Sequence, residues 1–295
     1  MGVYYFYSDY IYNEGTWRSS YVSVEGEKFV RNINRKKSAW EMDVSSFWIG
    51  PGKVYVDVEE PLYDLVDIEH TGKKYMYRGC TLLISQFPIK HSLHYKQPFI
   101  NFKKKLSSLS IDYMVVPRIP LSVLRTEHIR YFGRVKVPFI IVEARSIDEM
   151  LQIKWEWMEA AQSFSGIPIV CTHAPSRKPQ KEVIEVWENI CDYYKIHTLN
   201  EPITEFPLSN ESLRLAGISP FKGEYFHQGY ADYNLFQFEK SPIIDEHSKF
   251  RYHKAIPIVT VSKGQVIKSS NLIELEEEVQ GSYRKISIPR HFLPS

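Results

Sequence analysis

Cysteine is scarce: Cys80, Cys171 and Cys191 are the whole supply in 295 residues. An odd number at wide spacings argues against a disulfide framework and a thiolate zinc knuckle, and fits a reducing compartment. Charge of one sign is equally lacking. Lys and Arg number 37 against 35 Asp and Glu, a formal charge of +2, so there is no electrostatic reason to expect nucleic acid or an acidic membrane surface. The densest basic run, Lys103-Lys104-Lys105, reads as a solvated helical face. No apolar run approaches the ~20 residues that span a bilayer. MGVYYFYSDY also lacks the positive-then-apolar order of a signal peptide. The expectation is a cytoplasmic protein with no nucleic-acid and no membrane partner. A phosphate-binding loop is missing too, because Gly50-Pro51-Gly52 leads into a strand and not into a helix N-terminus.

What is present is an ordinary globular composition, 43% hydrophobic and 24% charged, arranged in three zones. From Val3 to about Trp40 the segments YYFYSDYIY, SSYVSVEG and EKFVRNIN read as short strands, with turn signals at Asn13-Glu14-Gly15 and Glu25-Gly26-Glu27. Their many tyrosines read as strand packing. From Lys53 to about Asn200, KVYVDVE, CTLLISQF, DYMVVPRI, PFIIVEA, PIVCTHA and, weakly, KIHTL alternate with helical stretches. SIDEMLQIKWEWMEAAQSF predicts one helix, opened by a Ser146-x-x-Glu149 capping box and closed near Gly166, with Trp155 and Trp157 as packing residues. From Arg214 to Asn271 strand-like segments return: GEYFHQG, ADYNLFQFE and AIPIVTVSKGQVIK. Repeated β-α units predict an α/β fold with a parallel sheet or barrel. The order of zones predicts one β-domain from residues 1–52 and 214–271, an α/β body over 53–213, and a tail over 272–295.

SSYVSVEGEKFVRNI, DVSSFWIGPGKVYVDVEE, YRGCTLLISQF, and SNESLRLAGISPFKGEYFHQGYADYNLFQFE with VTVSKGQVI follow one another in that order. Together they resemble the composite-domain amidohydrolases, the superfamily of dihydroorotase and hydantoinase. The likeness is to its opening hairpin, its entry to the first barrel strand, its Gly-x-Thr-Thr second strand, and its Asn-Pro-Ala-Arg, Lys-Gly, Ala-Asp and closing Gly-x-Val signatures. The resemblance implies a TIM-like β/α barrel plus a β-sandwich formed by both ends of the chain. It also implies metal-dependent hydrolysis of C–N bonds in amides or cyclic amides. Two departures stand out. The family's metal-binding His-x-His falls on Asp57-Val58-Glu59. The span from there to the returning β-domain is about half of what a complete barrel of roughly 250 residues needs, so the barrel is expected to be shortened, without the eighth strand that supplies the family's catalytic Asp. PIVCTHAPSRKPQKE is similar to the dihydroorotase Asp-His-Ala-Pro-His segment, but with Thr172 in place of Asp and Ser176 in place of the second His.

Chemistry in such a fold sits at the C-terminal ends of the parallel strands. Alternation of side chains puts Val54, Val56 and Val58 against the helices, with Asp57 and Glu59 facing inward at the mouth. Arg118 ends the third strand, Glu143 and Arg145 the fourth, His173 the fifth and His197 the sixth. Asp57, Glu59, Glu143, His173 and His197 are therefore the candidate ligands of one divalent ion, zinc, manganese or iron. In the competing arrangement no metal is bound, and Lys53, Arg118 and Arg145 neutralise the carboxylates in a salt-bridge network. His91 and His94 read as a surface pair at helical spacing, and Cys171 and His173 as strand neighbours without the marks of an activated thiolate. The expectation is an amidohydrolase-like protein, degenerate and without the usual binuclear metal centre, in a binding or interaction role. The alternative is an active metal-dependent hydrolase. A small-molecule ligand at the strand ends and a homo-oligomer that covers open strand edges are the expected partners.

Overall fold

The computed structural model describes residues 3–13, 15–31, 39–173, 181–237, 254–273 and 281–286. Ser176 and most of the expected tail lie outside them. The chain opens with β1 (Val3–Asn13) and β2 (Thr16–Glu25), antiparallel, followed by β3 (Lys28–Val30), β4 (Trp40–Glu41) and β5 (Phe47–Pro51). Strands and helices then alternate: β6 (Lys53–Val56), α1 (Ile68–Tyr77), β7 (Cys80–Pro88), α2 (Lys96–Lys105), β8 (Asp112–Pro120), α3 (Thr126–Arg134) and β9 (Ile140–Ala144). The series continues with α4 (Ile147–Leu151), α5 (Trp155–Gln162), β10 (Ile169–His173) and α6 (Lys181–Tyr194). After α7 (Asn210–Leu215) the chain ends in β11 (Tyr233–Gln237), β12 (Val259–Ser262) and β13 (Gln265–Ser269).

Two sheets result. Strands from both ends of the chain share one, in the order β13-β12-β11-β5-β1-β2-β3, with β4 beside β1. The second has five parallel strands in the order β10-β9-β8-β7-β6, a half-barrel where the complete architecture has eight. Its outer face carries the helices: Tyr55, Leu83, Val115, Val142 and Ile169 pack against Tyr75, Phe99, Phe132, Trp155 and Trp187. Each large apolar side chain buried this way contributes about 1.5–3 kcal/mol.

The inner face is covered by non-strand chain. The carbonyl of His197 accepts from Ile169 N at 2.9 Å on the β10 edge, and Leu208 N donates to Val54 O at 2.9 Å on the β6 edge. Residues 197–208 thus cross the open side of the half-barrel, and each free edge carries a bond from within the chain. Leu199, Ile203 and Leu208 from this strap join Leu213 and Ile218 over Val54, Val56, Leu82, Ile84, Met114 and Ile141.

Three local expectations change, the first being GEYFHQG, which forms bends and a turn and not a strand. The single helix over 146–164 is broken between α4 and α5, because the indole of Trp155 donates to Met150 O at 2.8 Å. That is the carbonyl that the amide of Lys154 would take in a continuous helix. KIHTL forms no strand, since Gln162 engages both main-chain groups of His197: Oε1 accepts from its N–H at 2.9 Å and Nε2 donates to its carbonyl at 2.7 Å.

At the N-terminal ends of the half-barrel strands the two sheets meet over a buried ionic cluster. Asp112, the first residue of β8, is fully buried and receives Lys222 Nζ at 3.0 Å, Lys263 Nζ at 2.6 Å and Arg284 Nε at 2.8 Å. Lys222 also pairs with Asp232, whose other carboxylate oxygen accepts from Lys263 N at 2.8 Å. Burial alone would raise the Asp112 carboxyl, but these three cations hold it below the usual carboxylate range. Residues 281–286 of the tail belong here: Gly281 N donates to Leu109 O at 2.8 Å, Arg284 N to Tyr113 O at 2.8 Å, and the ring of Tyr283 lies 5.8 Å from that of Tyr113.

Candidate functional site

Five parallel strands bring five C-terminal ends to one mouth, and burial settles which side chains face it. Val54 and Val56 pack on the inner face with Val58 against them, whereas Tyr55 belongs to the helix side, where its ring lies 5.7 Å from that of Tyr75. This corrects the expected orientation of β6. The valines point inward, and Tyr55 and Asp57 point towards the helices. The physical reason is that a parallel strand is covered on both faces, so a polar-looking alternate position such as Lys53 or Tyr55 does not mark an open side. Both are 2% exposed or less.

Asp57 is consequently a structural carboxylate. Its Oδ2 accepts from Leu62 N at 2.8 Å and from Ser85 Oγ at 2.7 Å, and its Oδ1 from Gln86 N at 2.8 Å and Gln86 Nε2 at 3.2 Å. Complete burial pushes its pKa up to about 7 despite those bonds. Glu59 lies on the surface, 3.2 Å from Arg78 Nη1. Lys53 begins β6, roughly 13 Å from Asp57 at the usual strand rise. Its Nζ donates to Ala255 O at 2.6 Å, and burial pushes its pKa down to about 7. None of the three meets another expected site residue.

Arg118 and Glu143 do meet. Arg118 follows the parity of Met114 and Val116 on β8, Glu143 that of Phe139 and Ile141 on β9, and Arg118 Nη2 donates to Glu143 Oε1 at the mouth. Arg118 Nε is buried and has no hydrogen-bond partner among the described residues. His173 ends β10 with a buried Nδ1 in the same condition. His197 is exposed at the other end of β10, beside Ile169, and Arg145 is exposed with its main-chain N–H donated to Glu149 Oε2 at 2.7 Å. His91 and His94 lie in a bend and not on a helix, His94 with φ 61°.

Arg118 and His173 border a cavity of about 410 Å³ that also touches Val58, Gln86, Thr172 and Trp187. It runs from the inner face around the end of β10 to α6, with the strap residues Thr198 to Ile203 as its floor. Gln86 and Trp187 were not among the expected site residues. An amide near the end of the strand CTLLISQF, on the face of Leu82 and Ile84, was a usable signal for Gln86. Cys171 borders the cavity as well, but burial pushes its thiol up to about 12, so it is no nucleophile at neutral pH.

The donor set does not fit a divalent ion. Among the described residues no three His, Cys, Asp or Glu side chains come together in a way that could hold one. The inward positions at the end of β6 are valines, Glu143 is engaged by a guanidinium, and His173 stands without a second imidazole. Thr172, where the resemblance requires Asp, donates its hydroxyl to Val142 O at 3.3 Å.

This architecture, a parallel half-barrel with a sheet built from both ends of the chain, is a fold shared with solved dihydropyrimidinase and D-hydantoinase structures. The chain is similar in structure to a dihydropyrimidinase from Brevibacillus agri, at 10% identity and a TM-score of 0.62, over 97% of this chain and 99% of that one. A D-hydantoinase (dihydropyrimidinase) from Thermus sp. is similar at 11% identity and 0.60, over 98% and 100%. A triazine hydrolase variant matches at 11% and 0.56, over 94% and 97%. No family model matches the chain, and no curated protein matches it. No helix among the described residues is long and apolar enough to cross a membrane.

Proposed function

We propose that this chain is a binding protein on an amidohydrolase fold, which holds a small organic molecule at the mouth of its half-barrel without the binuclear metal centre of its hydrolase relatives. One observation carries the reading. The strand ends supply Val58, Gln86, Arg118 and Thr172 around a cavity of about 410 Å³, with Arg118 paired to Glu143 and, among the described residues, no ligand set for a metal. Cavities of this size are typical of small-molecule sites.

A second reading, a metal-dependent hydrolase of C–N bonds, has its own support. Glu143 and His173 end neighbouring strands, and His173 Nδ1 is buried without a partner among the described residues. Metal analysis by mass spectrometry on tag-free protein separates the two. The binding reading expects less than a tenth of an equivalent of zinc, manganese or iron after incubation with excess ion. Near-stoichiometric metal that disappears in Glu143→Ala and His173→Ala would overturn it in favour of the hydrolase.

A further inference from the structure

We infer that the ligand is a monocarboxylate with an apolar body, its carboxylate seated on Arg118. This deepens the binding reading and rests on it. Arg118 is the only cation among the described residues that border the cavity. A guanidinium presents five donors along a rigid edge. Here Nη2 is committed to Glu143 while Nε, buried, has no partner among the described residues. A buried donor left without an acceptor is destabilising, and a ligand oxygen at Nε would remove that cost. Nε and Nη2 share one edge of the guanidinium, so a ligand oxygen at Nε would sit beside the Glu143 carboxylate while its bond to Nη2 is kept.

The rest of the cavity fits the other half of such a molecule. Val58, Ile141, Val170, Val183, Trp187 and Ile203 make an apolar wall. Three further carboxylates border the space without opposing an anion at its base. Glu188 and Asp192 are exposed on α6, where water and salt screen them. Glu201 has one carboxylate oxygen engaged by Ser209 N at 2.7 Å. The strap makes this possible: in carrying the chain from β10 to β6 it walls off a pocket bordered by a half-buried guanidinium with a donor to spare.

The test is calorimetric titration of the whole chain in EDTA-containing buffer with butanoate, hexanoate and octanoate, and with octanol and octylamine. Affinity for the acids should rise about fourfold per added methylene, the factor expected from burying each one. Octanol and octylamine should bind at least tenfold more weakly than octanoate. Arg118→Met/Glu143→Gln removes both members of the pair and leaves neither charge without its partner, so the pocket stays folded with a neutral base. It should lose the preference for the acid, while Glu143→Gln alone should tighten octanoate by roughly threefold to tenfold through loss of a competing anion. If octanol or octylamine binds as tightly as octanoate, or the double variant keeps the acid preference, the carboxylate assignment is overturned and the binding reading stands. If none of the five probes binds the folded protein at millimolar concentration, both fail.

Discussion

The two ends of the half-barrel handle charge in opposite ways. At the N-terminal ends of the strands, Asp112, Asp232, Lys222, Lys263 and Arg284 make a cluster in which each carboxylate meets at least two donors and Lys222 is 3% exposed. At the mouth there is one half-buried pair, Arg118 with Glu143, and a buried Asp57 held by neutral donors alone. The first arrangement exists to join two sheets and a tail. The second leaves donor capacity unused, which is what a site needs and a joint does not.

The largest expected effect therefore lies at the joint. Lys222→Met leaves buried Asp232 with neutral donors alone and takes one of three cations from Asp112, and breaking a buried pair by removing one partner costs about 3–5 kcal/mol. Urea unfolding should show a loss of that size, and Lys222→Met/Asp232→Asn should recover part of it. A loss below about 1 kcal/mol would mean that the cluster is not what holds the sheets together. Next comes the tail. A Cβ on Gly281 would collide with the carbonyl of Ile111, so Gly281→Ala should lift residues 281–286 off β8 and take Ser282 and Arg284 from Asp112. The expected cost is about 1–3 kcal/mol, together with faster amide exchange at Tyr113, whose N–H donates to Ser282 O at 3.1 Å.

The same contrast governs how much could be read without coordinates. Lys222-Gly223 and Ala231-Asp232 fall within motifs similar to those of the amidohydrolases, and they lie at the joint. The sharing of one sheet by both ends of the chain was legible for that reason, and a shortened barrel was legible from the length of chain between the motifs, but the count of five strands was not, because KIHTL reads as a weak sixth. The mouth was less so. Glu143 with Arg118 and the position of His173 followed from the strand ends, but the facing of Asp57 did not, because a strand buried on both sides gives alternation no solvent side to point to. His197 was misplaced for a different cause. Gln162, 35 residues away, takes its main-chain groups and leaves its side chain in solvent, and no local pattern reports such a contact.

A smaller effect tests Asp57. Its carboxyl titrates about 7 in the folded chain against an ordinary 3.8. The folded state therefore binds the proton more tightly than the unfolded one. The stability it contributes is complete below about pH 4 and is lost as pH rises through 7. Asp57→Asn should flatten the fall in melting temperature between about pH 4 and 7 relative to the parent chain. Lys53 works with the opposite sign, since burial lowers its pKa to about 7. Its contribution is present above about pH 10.5 and is lost as pH falls through 7, so Lys53→Met should remove a rise in stability between pH 7 and 10 that Asp57→Asn leaves in place. Equal pH profiles for all three proteins would refute the assignment of either group.

The smallest effect on stability is expected where the effect on binding is largest. The side chains of Arg118 and Glu143 are 32% and 17% exposed, and partly solvated pairs are worth about 0–1 kcal/mol. Arg118→Met/Glu143→Gln should thus unfold within about 1 kcal/mol of the parent chain in urea while abolishing the preference for octanoate over octanol. The same double substitution logic at the joint, with Lys222 and Asp232, should do the reverse: a large change in unfolding and none in ligand preference. A pair at the mouth that proved as costly to remove as the joint would place Arg118 in the scaffold, and the comparison between the two ends would collapse into a single ionic framework running the length of the half-barrel.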